Sequence, residues 1–376
     1  MIDELRLINF KAARDIKIRM SELTLLAGLN GSGKSTVLQS LGLLRQSTFS
    51  GMDALHLQGR LVELGRARDV RHVGAATDQI TFEVSAFGDK VEVHANAADD
   101  ESDVLPIEIV GNGALLGQTV GGLNNFQFIQ ADRMVPQSLY RQAFGADRVN
   151  GWLGCRGEFA VDYLSAHAED RVPSGRHYPK DALGVSQDLY KLVAPLENLE
   201  DQVSGWMQQL SPGVRVKAYQ IPSSDSTRLS YQYMGAGPNE NASRPVNVGF
   251  GLTYSIAILV ACLSAKSGSL LLIENPEAHL HPQGQVAMGL LLAACAADGV
   301  QVIVETHSDH VLNGIRLAVK NESLLPNKVK LCYFSRDVEL GACTIENPAV
   351  EQDGQLTNWP RGFFDQWERS LDELLR

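Results

Sequence analysis

The stretch GLNGSGKS, residues 28–35, constrains the fold of this chain more than any other feature. It follows a short apolar run, residues 23–27, and precedes residues 35–46, whose apolar positions recur at helical spacing. The pattern G-x-x-x-x-G-K-[ST] between a buried strand and the start of a helix is typical of a phosphate-binding loop. Backbone N–H groups of such a loop, together with the helix N-terminus, favour a bound anion. The sequence therefore predicts an α/β core that contains a nucleotide site.

The positions of this loop have distinct predicted roles. The glycines allow the backbone to curl around the β-phosphate of ATP, Lys34 reaches the β- and γ-phosphates, and the Ser35 hydroxyl ligates magnesium. A glycine-rich turn without a ligand is the alternative, and the strand and helix on either side argue against it. The residues of the loop predicted to bind ATP are Gly28, Asn30, Gly31, Ser32, Gly33, Lys34, Ser35 and Thr36.

Two other buried strands end in polar residues of the kind that hold magnesium or phosphate. Residues 270–273 are apolar, and Glu274 follows them directly. Because P-loop proteins need a carboxylate on a neighbouring strand to complete the magnesium shell, Glu274 is the predicted metal ligand. Residues 302–310, VIVETHSDH, repeat this pattern. His307 there is predicted to contact the γ-phosphate or the attacking water, with a purely structural histidine as the alternative.

The histidines also allow a different interpretation. His279, His281, His307 and His310, with nearby carboxylates, could form the site of a zinc or manganese hydrolase, since imidazole and carboxylate suit both metals. None of these histidine pairs has the i, i+4 spacing of the helical H-E-x-x-H motif. The nucleotide site is therefore the favoured prediction.

Composition and charge limit the cellular compartments and the classes of binding partner that fit this chain. The 376 residues carry a formal net charge of -11, so nucleic-acid binding would need a local basic patch and has no support from charge. No apolar run approaches the roughly 18 residues of a membrane span, and the N-terminus has no leader pattern. The five cysteines are scattered without a C-x-x-C pair. These features predict reduced thiols in a soluble, cytoplasmic protein without membrane contact.

The order of the elements predicts a mainly parallel sheet covered by helices on both faces. Alternating segments near residues 80–86, 91–94, 107–110 and 126–129 predict an inserted antiparallel β lobe. A helical lobe and a C-terminal amphipathic helix complete the predicted organisation. The predicted divisions are core residues 1–46 and 246–320, a β lobe at 47–136, a helical lobe with strands at 137–245, and C-terminal strands and helix at 321–376.

Three blocks together resemble the ABC-type ATPase heads of SMC and OLD-like proteins: GLNGSGKS, IENPEAHLHP at residues 273–282, and THS at residues 306–308. The nearer resemblance is to the bacterial predicted AAA-family ATPases of the OLD-like branch. The C-terminal segment NWPRGFFDQWERSLDELL is similar to a small domain of unknown function in one subgroup. The resemblance implies an α/β, SMC-head-like P-loop core and an ATPase that dimerises around ATP.

The resemblance also implies roles for individual residues. It makes Glu274 the Walker B acid and His307 the switch histidine. It places residues 247–253, NVGFGLT, at the ABC signature, which contacts the γ-phosphate held by the opposite protomer. Gln130 and Arg133 lie in a segment that resembles the Q-loop, and are expected to sense the nucleotide. The signature residues expected to contact ATP are Gly249, Gly251 and Thr253.

The sequence departs from this family at Asn275. ABC heads generally carry glutamate there, and an amide cannot accept a proton from water as a carboxylate does. Glu277 is the nearest substitute. Phosphoryl transfer depends largely on positioning and electrostatics, so slow hydrolysis is expected rather than none. A hydrolysis-deficient ATP-binding scaffold is the alternative.

The resemblance further implies a role for the whole chain. OLD nucleases carry a TOPRIM domain after the ATPase core, whereas residues 318–376 are too few for one and contain no D-x-D pair. Residues 47–245 lack the heptads of SMC arms. We therefore expect an ATP-bound homodimer that switches a separately encoded effector protein in antiviral (phage) defence or DNA maintenance, without nuclease activity of its own.

Overall fold

The computed structural model describes residues 1–49, 51–120, 126–179, 191–234, 242–336 and 343–375, without the side chains of residues 366–369. The chain forms two compact units. The first comprises Met1–Phe126, Gln301–Asp309 and Val319–Arg376, and the second comprises Gln127–Val300 and His310–Ala318. In the described ranges, no helix combines the length and the apolar character needed to cross a membrane. All five cysteines are buried free thiols.

The first unit contains a six-stranded antiparallel sheet. Its strands are β1 (Ile2–Phe10), β2 (Ala13–Arg19), β4 (Ala54–His56), β5 (Gln79–Ala86), β6 (Asp89–Asn96) and β7 (Val104–Gly111). They lie in the order β2-β1-β5-β6-β7-β4. Alternate residues of β1, such as Leu5 and Leu7, are fully buried, as expected for a sheet with one face on a core. Phe10 packs edge-on against Phe82, with 5.0 Å between the ring centroids.

A second set of strands in the first unit positions the phosphate loop. The elements are β3 (Leu23–Gly28), β13 (Gln301–Glu305), β14 (Val329–Arg336), β15 (Cys343–Glu346) and helix α1 (Lys34–Thr48). Strand β3 lies between β13 and β14 and runs parallel to both. The residues of β13 are all buried, which is typical of parallel strands covered on both faces. The first unit also contains the helices α2 (Ala67–Val70), α3 (Ala114–Thr119) and α10 (Gln366–Leu374).

The second unit is richer in helices. Its helices are α4 (Gly145–Val149), α5 (Ala160–Ala166), α6 (Leu199–Trp206), α7 (Phe250–Ser264) and α8 (Pro282–Ala297), with most of α9 (Asp309–Lys320). Strands β9 (Tyr140–Arg141), β10 (Val214–Gln220) and β11 (Ser226–Tyr233) form a sheet in the order β10-β11-β9. Strand β12 (Leu270–Glu274) is a neighbour of β8 (Phe126–Ile129). Helix α7 is buried on all sides from Leu252 to Leu263. Its apolar residues therefore occur all around the helix and are not confined to one face.

The elements predicted around the phosphate loop are confirmed, and two assignments differ. Strand β8 has the predicted bounds, but its prediction as part of the antiparallel lobe is wrong, because it lies beside β12. Strand β8 has only four residues, and their pattern of burial would fit either sheet. The local sequence therefore does not indicate which strand pairs with β8. Strands β1 and β2, grouped by sequence with the core residues, belong to the antiparallel sheet. The side chain of Trp367, in the helix predicted to be amphipathic, lies outside the described residues.

Helices α8 and α9 approach each other closely at two glycines. A Cβ atom on Gly314 would lie 2.2 Å from the carbonyl oxygen of Val286. A Cβ atom on Gly289 would lie 2.2 Å from the carbonyl oxygen of Val311. Any side chain here would overlap backbone, which cannot move aside as a flexible side chain can. The two glycines therefore set the distance between the helices.

We expect Gly314→Ala to lower the free energy of unfolding by about 1–3 kcal/mol, because the methyl group must displace backbone. Alanine has a higher helix propensity than glycine, which by itself would stabilise the variant by about 1 kcal/mol. A loss of stability would therefore result from the close approach of the helices. Gly117→Ala is the matched control, since nothing lies within 4 Å of a Cβ atom at this helical glycine. Urea unfolding followed by circular dichroism measures both variants. Equal stability of the two variants would contradict this explanation.

Candidate nucleotide-binding site

The loop between β3 and α1 has the backbone of a phosphate cradle. Gly28, Gly31 and Gly33 have φ angles of 143°, 75° and 108°, which residues with a Cβ atom rarely adopt. A Cβ atom on Gly28 would lie 2.2 Å from the carbonyl oxygen of Phe334 in β14, whereas nothing lies within 4 Å of one on Gly31. Gly28 is thus required for packing against the neighbouring strand. Gly31 lies at the open side of the loop, where a ligand can approach the backbone.

The start of helix α1 is suited to bind an anion. Its N-cap, Gly33, provides no side-chain cap, and the first turn has no acidic residue. The first N–H groups of a helix need acceptors, and phosphate oxygens supply both acceptors and negative charge. The Oγ atom of Ser32 is buried without a hydrogen-bond partner in the described part of the chain. The donors at this end of α1 therefore fit a phosphate group.

Lys34 is held at the base of the loop. Its ammonium group donates to the carbonyl oxygens of Gly28, at 3.0 Å, and Leu29, at 2.9 Å. It also lies 3.7 Å from Oε1 of Glu305, and the side chains of Lys34 and Glu305 are only 3% and 6% exposed. Lysine has three donor hydrogens, and the two loop carbonyls fix the direction of the ammonium group. The predicted phosphate-binding lysine is therefore oriented by the backbone of its own loop.

Ser35 contacts an acid that the sequence interpretation did not single out. The Ser35 hydroxyl donates to Oε1 of Glu305 at 3.0 Å. Glu305 is the last residue of β13 and pairs with Leu26 of β3, which brings it beside the loop that follows β3. The signal was present, because an acid at the end of a buried strand is the pattern that selected Glu274. His307, two residues further on, is exposed at the same strand end.

Glu274 lies in the second unit, where it joins β12 to the segment that resembles a Q-loop. Its Oε2 accepts a hydrogen bond from the Ala131 N–H at 2.9 Å. The buried guanidinium of Arg133 donates to the carbonyl oxygens of Glu274 and Asn275, both at 2.7 Å. It also lies 4.4 Å from the ring centroid of Tyr254. Burial lowers the pKa of Arg133 to about 10, so the side chain remains a cation at neutral pH.

These contacts give Arg133 and Gln130 a clear local role. Arg133 Nη1 also donates to the carbonyl oxygen of Gln130 at 3.3 Å, and the Gln130 N–H donates to the carbonyl oxygen of Cys155 at 2.8 Å. One buried cation therefore fixes three backbone carbonyls, two at the end of β12 and one after β8. The structure places the segment that resembles a Q-loop against the candidate Walker B residues. Nucleotide sensing by these residues stays a prediction.

Asn275 and Glu277 form a small turn after β12. Asn275 has a positive φ of 44°, a conformation in which asparagine is enriched. Its Nδ2 donates to Oε1 of Glu277 at 3.3 Å. The amide at the position where a catalytic glutamate was expected therefore orients the nearest carboxylate.

The predicted signature segment forms the beginning of helix α7. Gly249 is the exposed N-cap, without a side-chain cap and with no acidic residue in the first turn. A Cβ atom on Gly251 would lie 2.4 Å from the carbonyl oxygen of His279. Thr253 is buried, with its Oγ1 3.1 Å from the hydroxyl of Tyr231. Gly249 is thus at a helix start open to a ligand, whereas Gly251 and Thr253 contact neighbouring elements of the second unit.

Two of the four histidines of the metal-hydrolase interpretation, His279 and His281, contact aromatic rings or backbone. The His279 ring packs against Phe250 and Tyr254, at centroid distances of 4.7 and 4.8 Å. His281 caps helix α8 by accepting from the Gln283 N–H at 3.4 Å. Across the residues that the structure describes, no group of three or more His, Cys, Asp and Glu residues is arranged to hold a metal ion. Only the nucleotide interpretation gains support from the geometry.

Comparison with known families matches three parts of the chain. An AAA ATPase domain (AAA_15) matches residues 1–109, and a family described as "AAA domain, putative AbiEii toxin, Type IV TA system" (AAA_21) matches residues 160–313. A family described as a protein of unknown function (DUF3696) matches residues 324–374. The C-terminal resemblance noted in the sequence is therefore confirmed.

Relatives and solved structures point the same way. The chain is 23% identical over 329 residues to the OLD nuclease of Thermus scotoductus, an alignment that spans 82% of this chain and 59% of the nuclease. An SMC head bound to the C-terminal winged-helix domain of ScpA has a TM-score of 0.53 at 14% identity, covering 94% of this chain and 98% of that one. The Pyrococcus furiosus Smc head with an extended coiled coil has a TM-score of 0.52 at 15% identity, with both chains fully covered. The chain therefore carries matches to two AAA ATPase domain families, is similar to an OLD nuclease, and has the fold of an SMC head.

Proposed function

We propose that this chain binds ATP with magnesium at residues 28–36, hydrolyses it slowly, and uses the ATP-bound dimer to switch a separately encoded effector. The arrangement of Lys34 and Ser35 carries the proposal. Both side chains are fixed at the start of an uncapped helix, one by loop carbonyls and the other by Glu305. This combination of a buried lysine, a hydroxyl and a helix start without a side-chain cap suits a polyphosphate and its magnesium ion.

Each part of the site then has a separate task. The start of α1 and the Ser32 hydroxyl bind phosphate oxygens, while Lys34 neutralises charge on the β- and γ-phosphates. Bound magnesium supplies further charge neutralisation of the phosphates. His307, exposed at the end of β13, is available to the γ-phosphate. These groups position ATP and stabilise negative charge, which accounts for most of the catalysis in phosphoryl transfer.

Slow turnover is expected because the residue at the usual position of the general base cannot accept a proton from water. Asn275 cannot accept it, and its amide instead donates to Glu277. Glu277 is the carboxylate we assign to this task, at a position two residues further than usual from the end of β12. A displaced base lowers the rate without removing the contribution of the phosphate-binding groups. The ATP-bound state is therefore long-lived.

The exposed start of helix α7 supports the dimer. Gly249 leaves the first N–H groups of this helix open to an anion from outside the protomer. In a two-ATP sandwich, that anion is the γ-phosphate held by the other protomer. A Type IV TA system in the description of one matched family supports a defence role, and the partner-bound SMC head supports control of a second protein.

A hydrolysis-deficient scaffold is the second candidate, and Asn275 favours it. In this case ATP binding and dimerisation occur without turnover, and release depends on another protein. The two candidates share the nucleotide site and differ only in phosphate release.

We expect Lys34→Ala to weaken ATP binding by roughly 10- to 100-fold, because hydrogen bonds to charged groups contribute about 1.5–3 kcal/mol each. Titration of a fluorescent ATP analogue in the presence of magnesium measures the affinity. Lys90→Ala is the control, since Lys90 forms exposed ion pairs in the antiparallel sheet of the same unit. Unchanged binding by Lys34→Ala would rule out the proposed site.

We expect Asn275→Glu to increase ATP turnover by about 100-fold, the lower end of the contribution of general base catalysis. The matched control is Asn275→Gln, because glutamine has nearly the same size and shape as glutamate but no proton-accepting carboxylate. Steady-state phosphate release at saturating ATP and magnesium measures both. Equal rates for the two variants would show that the missing carboxylate does not limit turnover. Native protein that binds ATP without measurable release would establish the scaffold.

We expect the native protein to double its mass in solution when ATP and magnesium are added. Gly249→Glu should abolish this change without altering ATP affinity, because its carboxylate would repel the γ-phosphate of the opposite protomer. Gly249→Gln is the neutral control, and space exists for both side chains, since nothing lies within 4 Å of a Cβ atom there. Light scattering after size-exclusion chromatography measures the mass. Dimerisation of Gly249→Glu equal to that of Gly249→Gln would contradict the role of this helix start.

A further inference from the structure

Glu305 occupies an unusual place for a buried acid. It ends a strand whose other residues are apolar or amide, and it is buried beside the phosphate loop. A buried carboxylate is costly unless it is paired and hydrogen-bonded. Glu305 has both kinds of partner, the Ser35 hydroxyl at 3.0 Å and the Lys34 ammonium at 3.7 Å. Both partners are predicted ATP and magnesium ligands, so the acid is built into the nucleotide site.

The direction of the Ser35 hydrogen bond has a chemical consequence. A hydroxyl has one donor hydrogen and two acceptor lone pairs. Because Glu305 accepts the hydrogen, the oxygen lone pairs of Ser35 point away from Glu305. Oxygen lone pairs are what a magnesium ion requires from its ligands. A carboxylate is also a stronger acceptor than a neutral group, so it holds the hydroxyl in this direction.

We propose that Glu305 is a second acid of the magnesium site, which acts through Ser35. It orients the Ser35 hydroxyl so that its oxygen faces the cation. Glu305 is a positioning residue, because it acts through Ser35 and is not itself proposed as a metal ligand. This inference rests on the proposed ATP and magnesium site.

If Glu305 orients Ser35 in this way, replacing Glu305 should change how strongly ATP affinity depends on magnesium. Glutamine at position 305 keeps the volume but loses the charge, and its NH₂ group can donate to Ser35 and reverse the orientation of the hydroxyl. Residues that orient metal ligands typically contribute about 10- to 100-fold to metal affinity. Magnesium increases the ATP affinity of the native chain by some factor, and in Glu305→Gln this factor should be smaller by about tenfold or more. The ATP affinity of Glu305→Gln in EDTA should equal that of the native chain.

The experiment is a titration of a fluorescent ATP analogue, with magnesium and with EDTA, on four proteins. These are the native chain, Glu305→Gln, Ser35→Ala and the double variant. If Glu305 acts through Ser35, the double variant loses no more of the magnesium gain than either single variant does. Glu346→Gln, at the exposed end of β15, is the control acid of the same unit and should match the native chain. Glu305→Asp, which keeps the charge, should recover part of the gain.

Two results would overturn the inference. In the first, Glu305→Gln binds magnesium and ATP as tightly as the native chain. In the second, it binds ATP more tightly in EDTA as well, which would make Glu305 an occupant that ATP has to displace. Melting temperatures without nucleotide verify that each variant is folded, and Glu305→Asp with Ser35→Ala decide the matter if Glu305→Gln does not fold. Loss of binding in Lys34→Ala with full magnesium gain in Glu305→Gln would refute this inference alone. No ATP binding by the native chain would refute the proposed function with it.

Discussion

The parallel pairing of β3 with β13 is the constraint on which the phosphate site depends. It aligns Leu26 with Glu305, so the end of one strand leads into the glycine loop and the end of the other supplies the acid. Because ends of parallel strands meet at one edge of a sheet, residues almost 300 positions apart in the chain become neighbours. Strand β14 completes the arrangement from the other side of β3, where Phe334 leaves no room for a side chain on Gly28. The geometry of the loop is thus set by backbone pairing on both sides.

Each unit holds a buried cation that is satisfied largely by backbone carbonyls. Lys34 donates to two carbonyls of its own loop in the first unit, and Arg133 donates to three carbonyls in the second. A buried charge without such partners would be costly. These bonds also fix backbone that a nucleotide would contact, so charge compensation and preorganisation come from the same interactions.

Sequence predicted the parts of the site that local patterns specify. The glycines, Lys34 and Ser35 follow from one motif between a strand and a helix, and the structure places that motif between the predicted elements. Glu305 was missed because the motif says nothing about which acid lies beside Ser35, and only strand pairing decides this. The partner of β8 was wrong for the same reason. Thr253 and Gly251 carry family-derived roles, and their packing against Tyr231 and His279 is a tertiary property that no local pattern reveals.

The first unit is assembled from three separated stretches of the chain, and this affects the order of events during synthesis. The glycine loop leaves the ribosome long before the strands on both sides of β3, which begin only at Gln301 and Val329. Between them and the loop lie nearly all residues of the second unit, which has its own internal contacts. Pairings at such long sequence separation form slowly, because loop closure precedes any gain from the contact. A nascent chain therefore carries the complete glycine motif without the strands that support it until β14 has been synthesised, and competence to bind nucleotide arises only after that point.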